Sequence, residues 1–213
     1  MNLKKNTMRT TSLRKMAKND ITKYQKRALK RLDAEDLEMI KFLVKKIHKE
    51  KGKKRDENYY NEGCTALFQY YTTAILDPFN MHAISDELDD FWHAHVIDTV
   101  SYDLLCKDLG FFMHHDPLNP KDIKKEKDVK IVYEYTRRKV LPSIFGEKNL
   151  SKIFHPIKTK LVCLHDLEIT NHALFSVEGF FPEHTKMQTI KAKYGHAARK
   201  LKIRQGLLKR KFI

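Results

Sequence analysis

Residues 86–117 read DELDDFWHAHVIDTVSYDLLCKDLGFFMHHDP, and this stretch decides both the fold and the candidate site. It holds four of the eleven histidines, the single tryptophan and Cys106. Ser85 precedes the stretch as a candidate N-cap, and the acids at 86 and 87 place negative charge where a helix dipole favours it. Gly110 is a suitable stop for a helix. The pattern therefore predicts one helix from residue 86 to about residue 108.

Helical spacing separates the histidines of this stretch. His93 and His95 lie two residues apart and point about 200° apart on a helix, so they do not bind the same ion. Asp89 and His93 lie four residues apart and share a face. His82 has an easy path to this pair, whereas His115 reaches it only if the helix breaks early or the following loop is extended.

Imidazole and carboxylate groups together are common ligands of zinc and iron. One interpretation is therefore a small Asp/His site that binds a divalent metal (Zn, Fe or Mn) or acts as an acid/base pair. Its candidate members are Asp89, His93, His115 and His82.

The alternative interpretation, which we favour, is structural and expects no cofactor. Trp92, Val96, Leu104 and Leu105 form the buried face of the helix, and Asp89 fixes the tautomer of its histidine neighbour. The loop at residues 115–117 then closes by hydrogen bonds. The chain contains no Cys-x-x-Cys pair, no phosphate-binding glycine loop and no Gly-x-Ser-x-Gly turn, so it lacks the familiar enzyme signatures.

The stretch resembles the helical module of the glycine-rich domain-containing protein family, over residues 62–147. The resemblance rests on the Trp-His-x-His segment and on the residues that follow it, namely Trp92, His93, His95, Asp98, Thr99, Tyr102, Cys106, Gly110, His115 and Pro117. The segments ALFQYYTTAILDPF (66–79) and YEYTRRKVLPSIFGE (133–147) are similar to the flanking helices of that module. The resemblance implies a helical fold and no particular activity. The chain departs from the family in lacking a glycine-rich segment.

Apolar periodicity predicts further helices on both sides of the motif stretch. One starts at residue 19 or 20, a second is capped by Asp33, and a third carries Tyr60 to Ile75 and ends before Pro78. A fifth helix opens at Asn119-Pro120 and ends near Pro142 and Gly146. Residues 49–57 are predicted to be a linker, residues 160–164 a short strand, and residues 185–212 a basic helix. The expected fold class is mainly α, with a basic N-terminal helical arm and a less regular basic C-terminal region.

Charge divides the chain into three blocks, although the whole chain carries a formal net charge of +15. Residues 1–58 contain 19 Lys and Arg against 8 acids, residues 59–117 contain one lysine against 10 acids, and the remainder contains 22 against 9. We therefore predict a basic N-terminal region (1–56), an acidic helical module (57–150) and a basic C-terminal region (151–213).

No run of eighteen apolar residues and no secretory signal pattern occurs, so we expect no membrane partner. Three cysteines at unrelated spacings indicate reduced thiols. A cytoplasmic location, or one inside an assembled particle, is therefore expected.

Runs of Lys and Arg most often neutralise phosphates, so the basic flanks predict contact with nucleic acid or with acidic protein surfaces. The candidate phosphate contacts are Lys4, Lys5, Arg9, Arg14, Lys15, Lys18, Lys23, Lys26, Arg27, Lys30, Arg31, Arg199, Lys200, Lys202, Arg204, Lys209, Arg210 and Lys211. Basic arms are also able to dock on the acidic module of another copy, head to tail.

These patterns favour a non-enzymatic assembly protein that is associated with nucleic acid or built into a nucleoprotein particle such as a virion. A metal-dependent enzyme or metal-binding module that uses the Asp/His site is the first alternative. A protein-interaction adaptor is the second.

Overall fold

The computed structural model describes residues 23–78, 80, 82–117, 121, 129–130, 132–154 and 161–169, with the side chains of 115–117 and 161–169 excepted. The protein is mainly α-helical and contains several packed helices, which confirms the predicted fold class. No helix in these ranges is long and apolar enough to cross a membrane.

Three helices precede the motif stretch, namely α1 (Lys23–Asp33), α2 (Leu37–Glu50) and α3 (Glu57–Leu76). The predicted third helix is confirmed, and it ends before Pro78. The predicted cap of the second helix is wrong. Asp33 ends α1, and Asp36 caps α2 by accepting the backbone N–H groups of residues 38 and 39. A turn at residues 34–36 therefore lies between α1 and α2, so the second helix begins later than the cap at Asp33 predicts.

The motif stretch forms two helices where the sequence predicts one. They are α4 (Asp86–Ile97) and α5 (Thr99–Leu109), and they meet at Asp98, which has backbone angles φ −77° and ψ 71°. The Asp98 side chain accepts the N–H of Ser101 at 3.4 Å and so caps α5. An aspartate competes with the helical backbone for such bonds, which is why the helix breaks there. The predicted stop at Gly110 is confirmed, with φ 71°.

This break changes which side chains are buried. The sequence places Leu104 on the buried face, but the residue is 51% exposed, and Val100 one turn earlier is 70% exposed. Leu105 and Trp92 are buried as predicted. Because α5 starts afresh at residue 99, its faces do not continue those of α4.

A further helical segment lies in the C-terminal half. Residues 129–130 and 132–135 are helical and are followed by a π-helical turn (Thr136–Val140), by α6 (Leu141–Phe145) and by a 3-10 turn (Glu147–Asn149). The sequence predicts that this helix ends near Pro142 and Gly146. Pro142 does not end it, since it lies in the first turn of α6, where a missing N–H costs little. Gly146, with φ 81°, is the actual end. The predicted start at Asn119-Pro120 lies outside the described residues.

A small antiparallel sheet accompanies the helices. Its strands are β1 (His82–Ser85), β2 (Phe111–Pro117) and β3 (Leu161–Ile169), and β3 lies between the other two. The sequence predicts only a short strand at 160–164 and treats the segments around residues 82 and 115 as loops, which is wrong. Strands of four to nine residues with mixed polar side chains give little periodicity.

Helix α3 occupies the centre of the core, and every residue from Ala66 to Leu76 is buried. Gly63 lets α4 approach closely, because a Cβ atom there would lie 1.8 Å from the Phe91 ring. Leu32 of α1 and Val44 of α2 belong to the same buried cluster. The predicted domain boundary between residues 56 and 57 falls at the start of α3, and the helices on both sides of it pack into the same core.

Candidate functional site

Asp89 and His93 lie one turn apart on α4, as the spacing predicts. His93 Nδ1 is 3.1 Å from Asp89 Oδ2, and the two side chains are 44% and 13% exposed. The hydrogen bond to the carboxylate, only partly opposed by burial, raises the pKa of His93 above its usual value. This geometry holds one imidazole in place near the surface.

Of the other two predicted ligands, His82 is the one whose side chain the structure describes, and it does not join this pair. His82 is buried, with Nδ1 at 3.1 Å from Thr136 Oγ1 and Nε2 at 3.1 Å from the carbonyl oxygen of Asp77. Within the described part of the chain, no three His, Cys, Asp or Glu side chains are grouped so that they could hold a metal ion. The expected path from His82 to the Asp89 end of α4 is therefore wrong. The side chain of His115 lies outside the described residues.

The backbone nevertheless brings His82 and His115 into one neighbourhood. His82 in β1 and His115 in β2 are both the Cα partners of His165 in β3. His165 is not among the site residues predicted from the sequence, because a lone histidine in a weakly patterned segment has no informative spacing to other ligands. Only the strand register reveals this relation.

A buried polar cluster surrounds His82. Asp77 is fully buried, and its carboxylate accepts hydrogen bonds from the Tyr135 hydroxyl, at 2.6 Å, and from the Asn80 side chain. The Tyr135 ring stacks on His82 with centroids 6.1 Å apart. Burial lowers the pKa of His82. Asp77 and Tyr135 are not among the site residues predicted from the sequence, although an Asp directly before a proline is a signal for a structured turn.

The remaining motif residues lie in or beside the core. His95 is fully buried, and its Nδ1 is 2.8 Å from the Tyr71 hydroxyl. Burial lowers the pKa of His95 to about 4 and raises that of Tyr71. Tyr102 donates to the carbonyl oxygen of residue 113 at 2.6 Å, and its ring packs edge-on against those of His95 and Trp92.

Cys106 completes this buried group and is 4% exposed. Burial raises the pKa of its thiol, which keeps the thiol protonated and a poor nucleophile. Thr99 opens α5 and is exposed, and Pro117 ends β2. His95, Tyr102 and Cys106 therefore contribute to the packing of the core.

The basic residues on α1 fall into two groups. Lys23, Lys26, Arg27 and Lys30 are exposed on the outer surface of the helix. Arg31 instead pairs with Asp108 of α5 and, at 3.4 Å, with Glu35. Four of the five predicted contacts on α1 are therefore accessible, and the fifth is held by acids of the protein itself.

A second basic surface lies in the loop between α2 and α3, which the sequence analysis took for a linker. We call it the basic loop. It comprises residues 46–55, which cover the last turn of α2 and the loop after it, and the half-buried Lys45 lies at its edge. Its six exposed basic side chains are Lys46, Lys49, Lys51, Lys53, Lys54 and Arg55.

Some basic residues of the loop contact other side chains of the protein. Lys53 and Lys51 lie 2.8 Å and 3.8 Å from the Asp90 carboxylate. Burial of Asp90 acts to raise its pKa, but hydrogen bonds from Lys53 and His48 outweigh this effect, so the pKa of Asp90 is lowered. The Arg55 guanidinium lies 4.7 Å from the centre of the Tyr59 ring. The Tyr59 ring is half-buried. An arginine beside an aromatic ring is a common element of single-strand nucleic-acid surfaces.

The two basic surfaces lie towards opposite ends of α3. Gln25 of α1 donates to the carbonyl oxygen of Ile75, whereas Lys45 at the edge of the basic loop pairs with Glu57. Eighteen residues of helix separate these two anchor points, a distance of about 27 Å at 1.5 Å per residue. The exposed residues of α1 and the basic loop therefore form two separate patches, one near each end of α3. The candidate contacts from Lys4 to Lys18 and from Arg199 to Lys211 lie outside the described residues.

Comparison with known proteins found no matching family model, no matching curated protein and no matching solved structure. The resemblance to the glycine-rich domain-containing protein family therefore stays a prediction.

Proposed function

We propose that this protein is a non-enzymatic assembly protein that binds nucleic acid through its basic surfaces. The observation that carries the proposal is the basic loop, in which six exposed Lys and Arg side chains are concentrated and Arg55 lies against the Tyr59 ring. Phosphate neutralisation is the commonest use of such a cluster. Asp90 of α4 does not neutralise this charge, because it pairs with Lys51 and Lys53 only.

The exposed lysines of α1 add a second contact with nucleic acid, and it lies about the length of α3 away from the basic loop. Two patches at this separation allow one extended strand, or two neighbouring strands, to be held by a single copy. The basic segments at both chain ends supply further charge. Repeated along a strand, such contacts build a nucleoprotein particle, and this is the role we assign.

The metal-dependent alternative rests on the Asp89–His93 contact. One carboxylate and one imidazole at 3.1 Å give a metal ion two ligands, whereas protein zinc sites usually supply three or four. The pair also resembles the many acid–histidine contacts that only orient a ring. We therefore place the nucleic-acid role first.

The proposal is tested by measuring fluorescence anisotropy of labelled single-stranded and duplex oligonucleotides of about 20 nucleotides with the full chain. Binding should weaken steeply between roughly 50 and 200 mM salt, because each phosphate contact contributes a slope of about 0.7 to 0.9. Binding that is absent at the lowest salt, or that does not change with salt, would contradict the proposal.

A further inference from the structure

Tyr59 combines a fixed position with partial exposure just after the basic loop. It lies in the first turn of α3 and is half-buried, and its backbone N–H donates to the Asp56 carboxylate at 2.8 Å. The rings of His48 and Phe91 pack against its ring, each with centroids 5.9 Å apart, and the Tyr60 ring meets it edge-on at 5.6 Å. Side chains of α2, α3 and α4 therefore hold the Tyr59 ring in place while part of it reaches the surface.

The exposed Arg55 side chain lies over this ring. Its guanidinium carbon Cζ is 4.7 Å from the centre of the Tyr59 ring, a distance at which a cation is attracted to the ring electrons. The neighbouring contact of Lys45 with the Tyr60 ring, at 5.3 Å, differs in two respects. Tyr60 is only 6% exposed, and Lys45 pairs with Glu57 at 2.5 Å. Of these two contacts, the one between Arg55 and Tyr59 is therefore accessible to a ligand.

Contacts just before Arg55 fix the conformation of the basic loop. The Lys53 backbone N–H donates to the carbonyl oxygen of His48 at 2.8 Å, and the Lys53 ammonium group lies 2.8 Å from the Asp90 carboxylate. Gly52 adopts φ 67°, a left-handed conformation that glycine tolerates best. The loop is thus attached to α2 and α4 before a ligand binds, which lowers the entropic cost of ordering it on binding.

We propose that Arg55 and Tyr59 form a stacking site for an unpaired nucleobase, so that the basic loop binds single-stranded nucleic acid through a base as well as through phosphates. This inference rests on the proposed function and names the ligand class of the basic loop. Unpaired bases stack on arginine planes and aromatic rings, whereas the bases of a duplex are stacked on one another. Burial, and then the charge of Glu87, raises the pKa of Tyr59 to about 12. Its hydroxyl group therefore stays uncharged near neutral pH and does not repel the phosphate backbone.

The test measures fluorescence anisotropy of the full chain with two labelled strands of equal length and charge. One strand contains about 20 thymidines, and the other contains the same number of abasic deoxyribose units, which present phosphates without bases. We expect the thymidine strand to bind at least about fivefold more tightly, since stacking of one base is worth that much. The same pair of strands in ribose form, with uridine as the base, distinguishes an RNA ligand from a DNA ligand. The strand with bases should bind more tightly in both forms.

Three variants locate the stacking site. Arg55→Lys keeps the charge but replaces the guanidinium plane with an ammonium group, so the ratio of the two affinities should fall towards one. Tyr59→Leu, checked for folding by circular dichroism, should lower the ratio in the same way. The matched control is Arg138→Lys, which changes an exposed arginine on another surface and should keep the wild-type ratio.

Two results would overturn the stacking site and leave the phosphate contacts of the proposed function intact. The first is equal binding of the strands with and without bases by the wild type. The second is an Arg55→Lys variant that keeps the wild-type ratio, or a ratio that falls equally in Arg138→Lys. Failure of the wild type to bind any of the strands would instead contradict the proposed function, and the stacking site with it.

Discussion

Nδ1 of His95 lies 2.8 Å from the hydroxyl oxygen of Tyr71, and the two side chains are 0% and 1% exposed. This contact joins α4 to α3 inside the core. Glu35, at 3.9 Å from Nε2, approaches the other side of the ring. The second histidine of the Trp-His-x-His segment therefore connects α3, α4 and the turn between α1 and α2 through one buried imidazole.

The stability of the protein should fall as the pH is lowered from about 6.5 towards 4. The pKa of His95 is about 4 in the folded state and 6.5 in the unfolded state, because burial disfavours the charged ring. Between these values the unfolded chain binds the extra proton, so lower pH favours unfolding by about 1.4 kcal/mol per pH unit. Urea unfolding at several pH values measures this slope.

The variant His95→Gln provides the comparison for that experiment. Glutamine is able to keep one hydrogen bond near Tyr71, but it does not titrate. Between about pH 6.5 and 4, the free energy of unfolding of the variant should therefore depend on pH less steeply than that of the wild type, by about 1.4 kcal/mol per pH unit. His82, whose pKa is also lowered by burial, still contributes with the same sign. An unchanged slope in His95→Gln would show that the imidazole is not neutral and buried in the folded chain.

Gly63→Ala should destabilise the protein. The new Cβ atom would lie 1.8 Å from the Phe91 ring, and overpacking of this kind costs about 1 to 3 kcal/mol. The better helix propensity of alanine offsets at most about 1 kcal/mol of that loss. Urea unfolding measures the difference. In a Phe91→Leu background, where space is available, the same substitution should cost less or become stabilising, and an equal loss in both backgrounds would refute the packing account.

Tyr135→Phe should cost more than Tyr102→Phe. The Tyr135 hydroxyl donates to the buried Asp77 carboxylate, whereas that of Tyr102 donates to a neutral backbone carbonyl, and both bonds are 2.6 Å long. Bonds to charged groups are worth about 1.5 to 3 kcal/mol and neutral ones about 0.5 to 1.5 kcal/mol. Denaturant unfolding of the two variants gives the comparison. The reverse order would contradict this account of the two bonds.

The helices that the sequence predicts well are those with a regular apolar spacing. The run from Tyr60 to Ile75 repeats at three- and four-residue steps and ends before a proline, and α3 follows it closely. Ile40 and Val44 of α2 are buried for the same reason. These features are local, so a single sequence contains them.

The predictions from the sequence are wrong where two local signals compete, or where the partner of a residue comes from a distant part of the chain. Asp98 lies in a helical pattern, yet its carboxylate caps a new helix and breaks the old one. The partners of His82 come from residues 77 and 136, and its row in the sheet comes from residue 165. No spacing rule connects positions so far apart. The basic loop was missed because a charge run between helices is most simply interpreted as a linker.

The most direct measurement of the central claim compares two variants of the full chain in the oligonucleotide binding assay. The loop variant replaces Lys46, Lys49, Lys54 and Arg55 with glutamine. The control replaces Lys130, Arg138, Lys139 and Lys148, which are also exposed, and so removes the same charge from another surface.

We expect the loop variant to bind more weakly and to show a salt slope smaller by up to about 3, at 0.7 to 0.9 per lost phosphate contact. The control variant should keep most of the wild-type slope. Equal effects from the two variants would show that only net charge matters, and an unaffected loop variant would contradict a nucleic-acid contact at the basic loop.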